Sequence, residues 1–467
     1  MSIYILTDFG STYTKMAAVD VKTSNIVGFA KSFTTIEDDV TIGFNNARRE
    51  IFAQIGNVEI KKNLAASSAA GGLKMISSGL VPDLTAKASR LAAASAGAKV
   101  VKTYSYELTT HEAEEIAAIN PDIMLVSGGI DGGNKGVLLH NASVIASVDA
   151  DFLVIIAGNR SAAAEAADIL EKGGKRAIIC ANVMPVFGKL NIQPAKDAIR
   201  DLFIKNIISA KGLDAAQAMM DAEIIPTPLA VFEACELLSH GTANETGLGE
   251  LMAYDLGGAT TDVYSMADGN PKNINTFVSG INEPFAKRTV EGDVGMRYSQ
   301  SALYDLILEE NPAQFYAEHG VTDSKMAEWL AICAADPSVL PLGKHEKYST
   351  ADNALAAEAI RISSARHAGY TERFFTAAGE AFSQMGKDLS QVKYVVGSGG
   401  AIINAKNPAQ IIKYAAYSPR DLNLLKPNNP RFLLDELNSL AAMGLLGRFL
   451  PDVALHIMKE KFVDIPI

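Results

Sequence analysis

Cysteine and long apolar runs are both scarce in this sequence of 467 residues. Cys180, Cys235 and Cys333 lie far apart and form no Cys-x-x-Cys pair, which argues against a disulfide scaffold, a zinc ribbon and a self-contained iron–sulfur site. No apolar run approaches the roughly 18 residues of a membrane-spanning helix, and no basic leader precedes the strand-like run Ile3–Thr7. We therefore expect a soluble protein of the reducing cytoplasm.

Basic residues are also in the minority. The 42 lysines and arginines are outnumbered by 53 aspartates and glutamates, which gives a formal net charge of -11. Binding to nucleic acid or to an anionic membrane surface needs an excess of basic charge, so neither partner is expected. Hydrophobic residues make up 48% of the chain. At roughly 150 residues per domain, this length suggests about three domains.

The order of strand-like and helix-like segments predicts an α/β protein. Three strands separated by turn-forming residues open the chain, as is typical of an antiparallel meander. Between residues 73 and 180, short apolar runs alternate with helical stretches, which indicates βαβ units on a parallel sheet. Residues 294–386 are predicted to be mainly helical, and Phe432–Leu450 is predicted to be a final long helix that Pro451 ends.

The first candidate phosphate-binding turn begins at Asp8, between two predicted strands. Gly10 allows a ligand to approach the backbone, and Ser11 and Thr12 can donate to phosphate oxygens. Lys15 would supply a positive charge, and Asp8 would hold the water shell of a magnesium ion. Taken alone, such a turn fits an ordinary hairpin equally well.

A second turn of this kind follows the predicted strand Leu251–Asp255. Asp255 and Asp262 stand on either side of it and would hold the waters of a hydrated divalent cation. Glycines and threonines between them make an anion-accepting turn. Its candidate nucleotide-binding residues are Gly257, Gly258, Ala259, Thr260 and Thr261.

A third glycine-rich turn follows a predicted buried strand near residue 395. Its glycines would let a flat base and a ribose lie against the backbone. The spacing does not match the Gly-x-Gly-x-x-Gly dinucleotide pattern, and the chain has no Gly-x-x-x-x-Gly-Lys-Ser/Thr phosphate loop. The candidate adenosine-binding residues are Gly397, Ser398, Gly399 and Gly400.

Three turns in this order resemble those of the superfamily of actin, the sugar kinases and the heat-shock ATPases. Lys15 is similar in position to the phosphate-contacting lysine of actin, and Asp255–Thr260 resembles the heat-shock ATPases. The resemblance implies an α/β fold with two actin-like lobes of the ribonuclease H type. These lobes are expected to close on ATP or ADP with Mg²⁺.

Over its whole length, the chain also resembles the MutL-type accessory proteins of cobalamin-dependent glutamate (methylaspartate) mutase, which are unrelated to mismatch repair. The segments that carry this resemblance are Asp8–Lys15, Gly128–Asn134, Ala157–Asn159, Asn182–Gly188, Asp255–Asp262 and Glu283–Asp293. It implies a chaperone-like, ATP-dependent reactivating factor that binds the mutase subunits and exchanges damaged cobalamin. Slow ATP turnover is expected, and the sequence is compatible with a homodimer.

The predicted boundaries divide the chain into four segments. Residues 1–70 form the first part of the N-terminal lobe, and residues 71–190 form an inserted Rossmann-like α/β region. Residues 191–250 return to the N-terminal lobe and its connecting helix, and residues 251–467 form the C-terminal lobe. We hypothesise that the insertion pairs with or mimics the small mutase subunit. A deletion of the insertion that leaves mutase association intact would refute this.

The hydrolytic base is not identified by the motifs. In heat-shock ATPases a glutamate precedes the proline of the connecting helix, whereas Ile224–Pro228 contains no acid. Glu291 and Asp293, which follow turn two, and Asp131, in the glycine-rich loop after the predicted strand Ile123–Val126, are the acidic candidates. Asp131 as a base would also fit a small-molecule kinase on the same fold, which remains the alternative function.

Two further functions of related folds stay open. A head-to-tail filament of the actin kind would sediment with ATP. An activator that carries an iron–sulfur cluster between subunits would be brown after anaerobic purification, and the scattered cysteines argue against it.

Overall fold

The computed structural model describes residues 1–10, 13–34, 40–68, 74–210, 213–377 and 379–467, and the side chains of these residues except 204–210. The chain divides into two compact units. The first comprises Met1–Ala234 and Ala441–Ile457, and the second comprises Cys235–Leu440 and Met458–Ile467. Among the described helices, none combines the length and apolar character that a bilayer crossing requires.

The first unit contains two sheets and the helices that cover them. Its strands are β1 (Ile3–Phe9), β2 (Tyr13–Asp20), β3 (Asn25–Phe33), β4 (Ile60–Ser67), β5 (Lys74–Gly79), β6 (Lys99–Ser105), β7 (Ile123–Val126), β8 (Leu153–Ile156), β9 (Arg176–Ile179) and β10 (Ile225–Pro226). Its helices are α1 (Val40–Ile55), α2 (Lys87–Ser95), α3 (Thr110–Ile119), α4 (Gly136–Ala146), α5 (Arg160–Lys172), α6 (Gln193–Ala210) and α7 (Leu213–Gln217). The division between the units falls within α8 (Thr227–His240).

The second unit contains one large and one small sheet. Its strands are β11 (Leu251–Leu256), β12 (Thr261–Met266), β13 (Thr276–Ser279), β14 (Ala286–Glu291), β15 (Tyr370–Thr376), β16 (Gly379–Met385), β17 (Tyr394–Ser398), β18 (Arg431–Leu434) and β19 (Val463–Ile465). Its helices are α9 (Gln300–Glu310), α10 (Pro312–His319), α11 (Asp323–Ala335), α12 (Ser349–His367), α13 (Gly400–Ile403) and α14 (Ala409–Ile412). The last helices of the chain are α15 (Leu440–Gly447) and α16 (Pro451–Lys461).

The main sheets of the two units have the same topology. In the first, the order is β3-β2-β1-β4-β10, with antiparallel pairs up to β1 and parallel pairs beyond it. In the second, β14-β12-β11-β17-β18 repeats this order and these directions, and β19 adds an antiparallel edge. This repeat confirms the prediction of two related α/β lobes of the actin-like class, and β1 to β3 form the predicted meander.

The second sheet of the first unit is entirely parallel, in the order β6-β5-β7-β8-β9. Helices α3, α4 and α5 contribute Ile116, Ala142 and Ala166 to a buried core with Met124 and Val154 of the strands. Parallel strands need crossover connections, and these helices provide them. The Rossmann-like prediction for this region is confirmed.

In the second unit, α12 packs against the main sheet. Leu355 and Ala359 of this helix share a buried core with Tyr254 of β11 and Val263 of β12. Trp329 of α11 is fully buried in the same core. Because α12 is almost wholly buried, it fixes the sheet that carries turns two and three.

The mainly helical prediction for residues 294–386 is only partly right. Helices α9 to α12 account for most of the segment, but residues 370–385 contain the antiparallel pair β15 and β16. Arg373, Phe374 and Phe375 of β15 are exposed, so this strand lacks the apolar and polar alternation that marks a half-buried strand.

The predicted helix Phe432–Leu450 is wrong. Its first residues lie in β18, and α15 begins only at Leu440. Asp435 separates the two elements, because its carboxylate accepts the backbone N–H groups of Ser439 at 2.6 Å and Leu440 at 2.9 Å. Pro451 starts α16 instead of ending a helix, since the first helical position does not need an N–H.

Candidate functional site

Turn one connects β1 to β2. The Gly10 amide donates to the Tyr13 carbonyl at 3.1 Å, and a Cβ at Gly10 would lie 2.6 Å from that oxygen. The turn itself therefore requires glycine at this position. Ser11 and Thr12, two of the predicted nucleotide-binding residues, lie outside the described residues.

Asp8 and Lys15 are paired across the two strands that flank turn one. The Lys15 ammonium lies 3.7 Å from one carboxylate oxygen of Asp8, which is buried. The other oxygen accepts the hydroxyl of Thr227 at 2.6 Å, at the first residue of α8. The site thus combines a carboxylate and an ammonium, which suits a magnesium-bound phosphate.

Turn two connects β11 to β12 and repeats the geometry of turn one. The Gly257 amide donates to the Thr260 carbonyl at 3.0 Å, and a Cβ at Gly257 would lie 2.9 Å from that oxygen. The flanking cross-strand pair is Asp255 with Asp262. The two turns therefore differ in charge, because Lys15 of the first is replaced by an acid in the second.

The carbonyls of turn two bond to the segment that follows β14. The Gly257 carbonyl accepts the N–H of Met296 at 3.0 Å, and the Gly258 carbonyl accepts that of Arg297 at 2.8 Å. The Ala259 carbonyl accepts the hydroxyl of Ser299 at 2.6 Å. All three carbonyls thus point at neighbouring protein.

In a trans peptide the C=O and the following N–H point in opposite directions. The N–H groups of Gly258, Ala259 and Thr260 therefore point away from the segment that holds the carbonyls. They have no hydrogen-bond partner in the described part of the chain. Successive outward amides of this kind form an anion-binding concavity, which sequence spacing alone does not reveal.

A buried ion pair fixes the segment that is hydrogen-bonded to turn two. The guanidinium of Arg297 donates to Asp352 at 2.9 Å and to the Val339 carbonyl at 3.1 Å. The same carboxylate oxygen accepts the indole N–H of Trp329 at 2.9 Å. Because Arg297 also bonds to Gly258 through its amide, helices α11 and α12 are tied directly to the turn.

Asp262 is held by a buried arginine. One oxygen of its carboxylate accepts both Nε of Arg288 at 2.7 Å and Nη2 at 2.5 Å, and the side chains are 12% and 2% exposed. Burial lowers the pKa of Arg288, but the attraction of Asp262 outweighs burial and the pKa is raised. The proposed magnesium role of Asp262 would have to use its other oxygen, which accepts the Thr260 hydroxyl at 3.4 Å.

Turn three follows β17, which pairs with β11 so that Ser398 lies opposite Asp255. Turns two and three are therefore neighbours on one sheet edge. Gly399 has φ 97°, and a Cβ there would lie 2.4 Å from the Leu256 carbonyl oxygen, so the neighbouring strand requires this glycine. Gly397 is buried against isoleucine side chains, whereas Gly400 is exposed at the start of α13.

Glu291 and Asp293 are both bound to Arg366 at the end of α12. The guanidinium donates to Glu291 at 3.0 Å and to the two oxygens of Asp293 at 2.6 and 2.9 Å. This hydrogen bonding lowers the pKa of Asp293. A carboxylate held in this way is a weak general base, so each acid would need to leave Arg366 before acting on water.

Asp131 lies at the carboxyl edge of the parallel sheet, as predicted. One of its oxygens accepts the Arg160 amide at 2.9 Å and the side-chain amide of Asn182 at 3.0 Å. Asp131 therefore accepts a backbone N–H at the start of α5, where the first N–H groups have no partner within the helix. Its bond to Asn182 also fixes the glycine-rich loop to the loop that follows β9.

Asn159 is the residue of this edge whose role the sequence did not disclose. Its fully buried side chain accepts the amides of Gly132 at 3.1 Å and Ser161 at 2.9 Å, and donates to the carbonyls of Gly133 and Asn134 at 3.0 Å each. The available signal was an asparagine immediately before a helical stretch, which is the pattern of an N-cap.

Replacing Asn159 with aspartate should destabilise the first unit by about 2–4 kcal/mol, because the new carboxylate faces two carbonyls that had accepted hydrogen bonds. Urea unfolding followed by circular dichroism measures this. Asn134→Asp is the matched control. Among the described residues, the Asn134 side chain makes one hydrogen bond, which it accepts from Val137 at 3.2 Å, and aspartate accepts equally well. Equal effects of the two substitutions would contradict the role assigned to Asn159.

The chain resembles one protein family along most of its length. A family model described as MutL protein matches residues 4–462. Protein MutL from Clostridium tetanomorphum is 42% identical over 467 residues, which cover 100% of both chains. Xylulose kinase from Lactobacillus acidophilus is a structural match at 11% identity and TM-score 0.34, covering 100% of this chain and 93% of that one. A glycerol dehydratase reactivase matches at 11% identity and TM-score 0.34, with 95% and 99% covered.

Proposed function

The chain belongs to the MutL protein family, and we propose that it is an ATP-dependent, chaperone-like reactivating factor for a cobalamin-dependent carbon-skeleton mutase, glutamate mutase or a close relative. In this role it binds the mutase subunits and exchanges damaged cobalamin. The nucleotide changes the affinity of the factor for the mutase, since a ligand shifts a conformational equilibrium only through different affinities for its states.

The observation that carries the nucleotide proposal is the row of outward amides at Gly258, Ala259 and Thr260. On the second unit, these amides supply donors for phosphate oxygens. On the first unit, the Lys15 ammonium beside Asp8 supplies a positive charge for phosphate. Turn three, next to turn two on the same sheet edge, presents Gly400 for the adenosine.

Magnesium fits the oxygen donors of these turns. No group of three histidine, cysteine or acidic side chains that could hold a metal ion occurs among the described residues, which suits an ion held mainly by phosphates and water. Asp8, Asp255 and the second oxygen of Asp262 would orient that water. When bound, the ion would neutralise phosphate charge, while the turn amides and Lys15 position the phosphates.

The test uses purified glutamate mutase loaded with inactive cobalamin. Adding the protein with ATP and Mg²⁺ should release the cobalamin, as followed by its absorbance in the filtrate after ultrafiltration. ADP, a non-hydrolysable ATP analogue and EDTA in place of free Mg²⁺ separate binding from hydrolysis. If ATP produces no more release than buffer does, the reactivating role is refuted.

A further inference from the structure

A polar cavity of about 710 Å³ lies within the second unit. It is lined by the end of α10, the start of α12 and the segment around α14. This volume is within the range of about 300–1,000 Å³ that small-molecule sites occupy. The size alone does not specify a ligand, so the charges and polar groups decide its class.

Three lysines from separate segments line this cavity: Lys347, Lys406 and Lys413. Of the two lining acids, Glu346 is paired with Lys406, and Glu318 accepts Arg420 at 2.8 Å. Both carboxylates are therefore neutralised by cations that are already present.

Lys347 and Lys413 form no ion pair within the described residues. Their amines lie 4.7 and 5.3 Å from the ring centroids of the adjacent Tyr348 and Tyr414, respectively. The Lys347 ammonium also interacts with the Tyr348 hydroxyl and with Glu328. An ammonium group has three donors, so both lysines can still bind a ligand with two negative charges, such as a phosphate monoester.

His319 is the buried member of the cavity lining, with its side chain 9% exposed. Its Nε2 lies 3.1 Å from Glu358, whose second oxygen accepts Arg361 at 2.5 Å. Burial acts to raise the pKa of Glu358, but the bonds from His319 and Arg361 outweigh it and the pKa is lowered. Since this carboxylate is an acceptor, Nε2 carries a hydrogen, and Nδ1 is the ring nitrogen that can contact a ligand.

The remaining lining groups suit ligand hydroxyls. Side-chain amides and hydroxyls can both donate and accept, and those of the cavity are Ser349, Thr350, Asn353, Asn407 and Gln410. The ring of Tyr414 stacks on His319 with centroids 5.5 Å apart, which gives one wall a flat surface. The cavity therefore combines dianion recognition with hydroxyl recognition.

We propose that this cavity is a separate binding site for a small phosphorylated sugar, whose phosphate lies between Lys347 and Lys413 and whose hydroxyls contact the amides and His319. A sugar phosphate is also part of every nucleotide, so the chemistry has two sources. The ligand of this cavity is the free sugar phosphate, bound at the same time as ATP.

The test is calorimetric titration of the full-length protein with ribose 5-phosphate and glucose 6-phosphate, at saturating ATP and Mg²⁺. At least one probe should bind with one-to-one stoichiometry, and more tightly than ribose, glucose or inorganic phosphate. The double variant K347Q/K413Q should bind that probe about tenfold or more weakly, because it loses charged hydrogen bonds. Lys393→Gln, an exposed lysine of the same unit outside the cavity, is the matched control.

Three outcomes would overturn the proposal. They are the absence of binding by either probe, displacement of the probe by ATP, and unchanged affinity in the double variant. Displacement would assign the cavity to the nucleotide instead. Since the titration contains no mutase, its failure is independent of the cobalamin-release assay.

Discussion

Exchanging Asp8 for asparagine is expected to weaken Mg²⁺-dependent ATP binding by about 10- to 100-fold, the usual loss when a group that orients a metal's ligands is removed. ATP-dependent cobalamin release should be lost with it. Asparagine has the same size and still accepts the Thr227 hydroxyl, which lies 2.6 Å from the native carboxylate. It removes only the charge that faces Lys15 and the magnesium-bound water. Fluorescence titration with a labelled ATP analogue measures the binding change.

Two variants separate this role from a structural one. Thr227→Val removes the hydroxyl that orients Asp8 but keeps the carboxylate, and should have a much smaller effect than Asp8→Asn. Asp168→Asn changes an exposed acid on α5 and should have none. If Asp8→Asn binds ATP as wild type does, turn one is not a phosphate site. If wild type consumes ATP with a small metabolite but releases no cobalamin, the kinase alternative and Asp131 become the next test.

The turns were predictable because their chemistry is local. In turns one and two, a strand, a glycine turn and a second strand occupy one short stretch, Ile3–Asp20 and Leu251–Met266. This pattern of strand and turn residues is visible without a partner. The cross-strand pair of Asp8 with Lys15 follows from that hairpin. The other predictions about the site came from the family resemblance, because short sequence segments typical of the family occur in the same order along this chain.

Partners distant in sequence were not predictable in this way. Thr227 reaches Asp8 across 219 positions, and Arg366 reaches Asp293 across 73. The segment Glu283–Asp293 entered the prediction as a resemblance and as the source of two candidate bases, Glu291 and Asp293. In the structure, the basic residues of this segment form buried ion pairs. Lys287 pairs with Glu283 at 2.6 Å, and Arg288 pairs with Asp262.

The wrong helix at Phe432–Leu450 has a related cause. Apolar residues dominate this stretch, and periodicity alone cannot distinguish a buried strand followed by a short helix from one long helix. Asn438, with φ 49°, and the capping carboxylate of Asp435 decide between them. Both are short polar residues whose role depends on the bonds they make in the folded chain.

Replacing Arg288 with methionine is expected to destabilise the second unit by about 3–5 kcal/mol, because it leaves the carboxylate of Asp262 without its cation in a nearly dry site. Methionine fills much of the same volume, so the loss reports the charge more than a cavity. The single tryptophan, Trp329, is fully buried in this unit, and its fluorescence during urea unfolding measures the transition there.

The double variant D262N/R288M should recover most of the loss, because neither charge then remains unpaired. A change within about 0.5 kcal/mol for the single variant would mean that the pair contributes little and that water reaches Asp262. The double variant also isolates the second role proposed for this carboxylate. If it is stable yet binds ATP and Mg²⁺ as wild type does, Asp262 only holds the strands beside turn two, and Asp255 alone orients the magnesium-bound water on this unit.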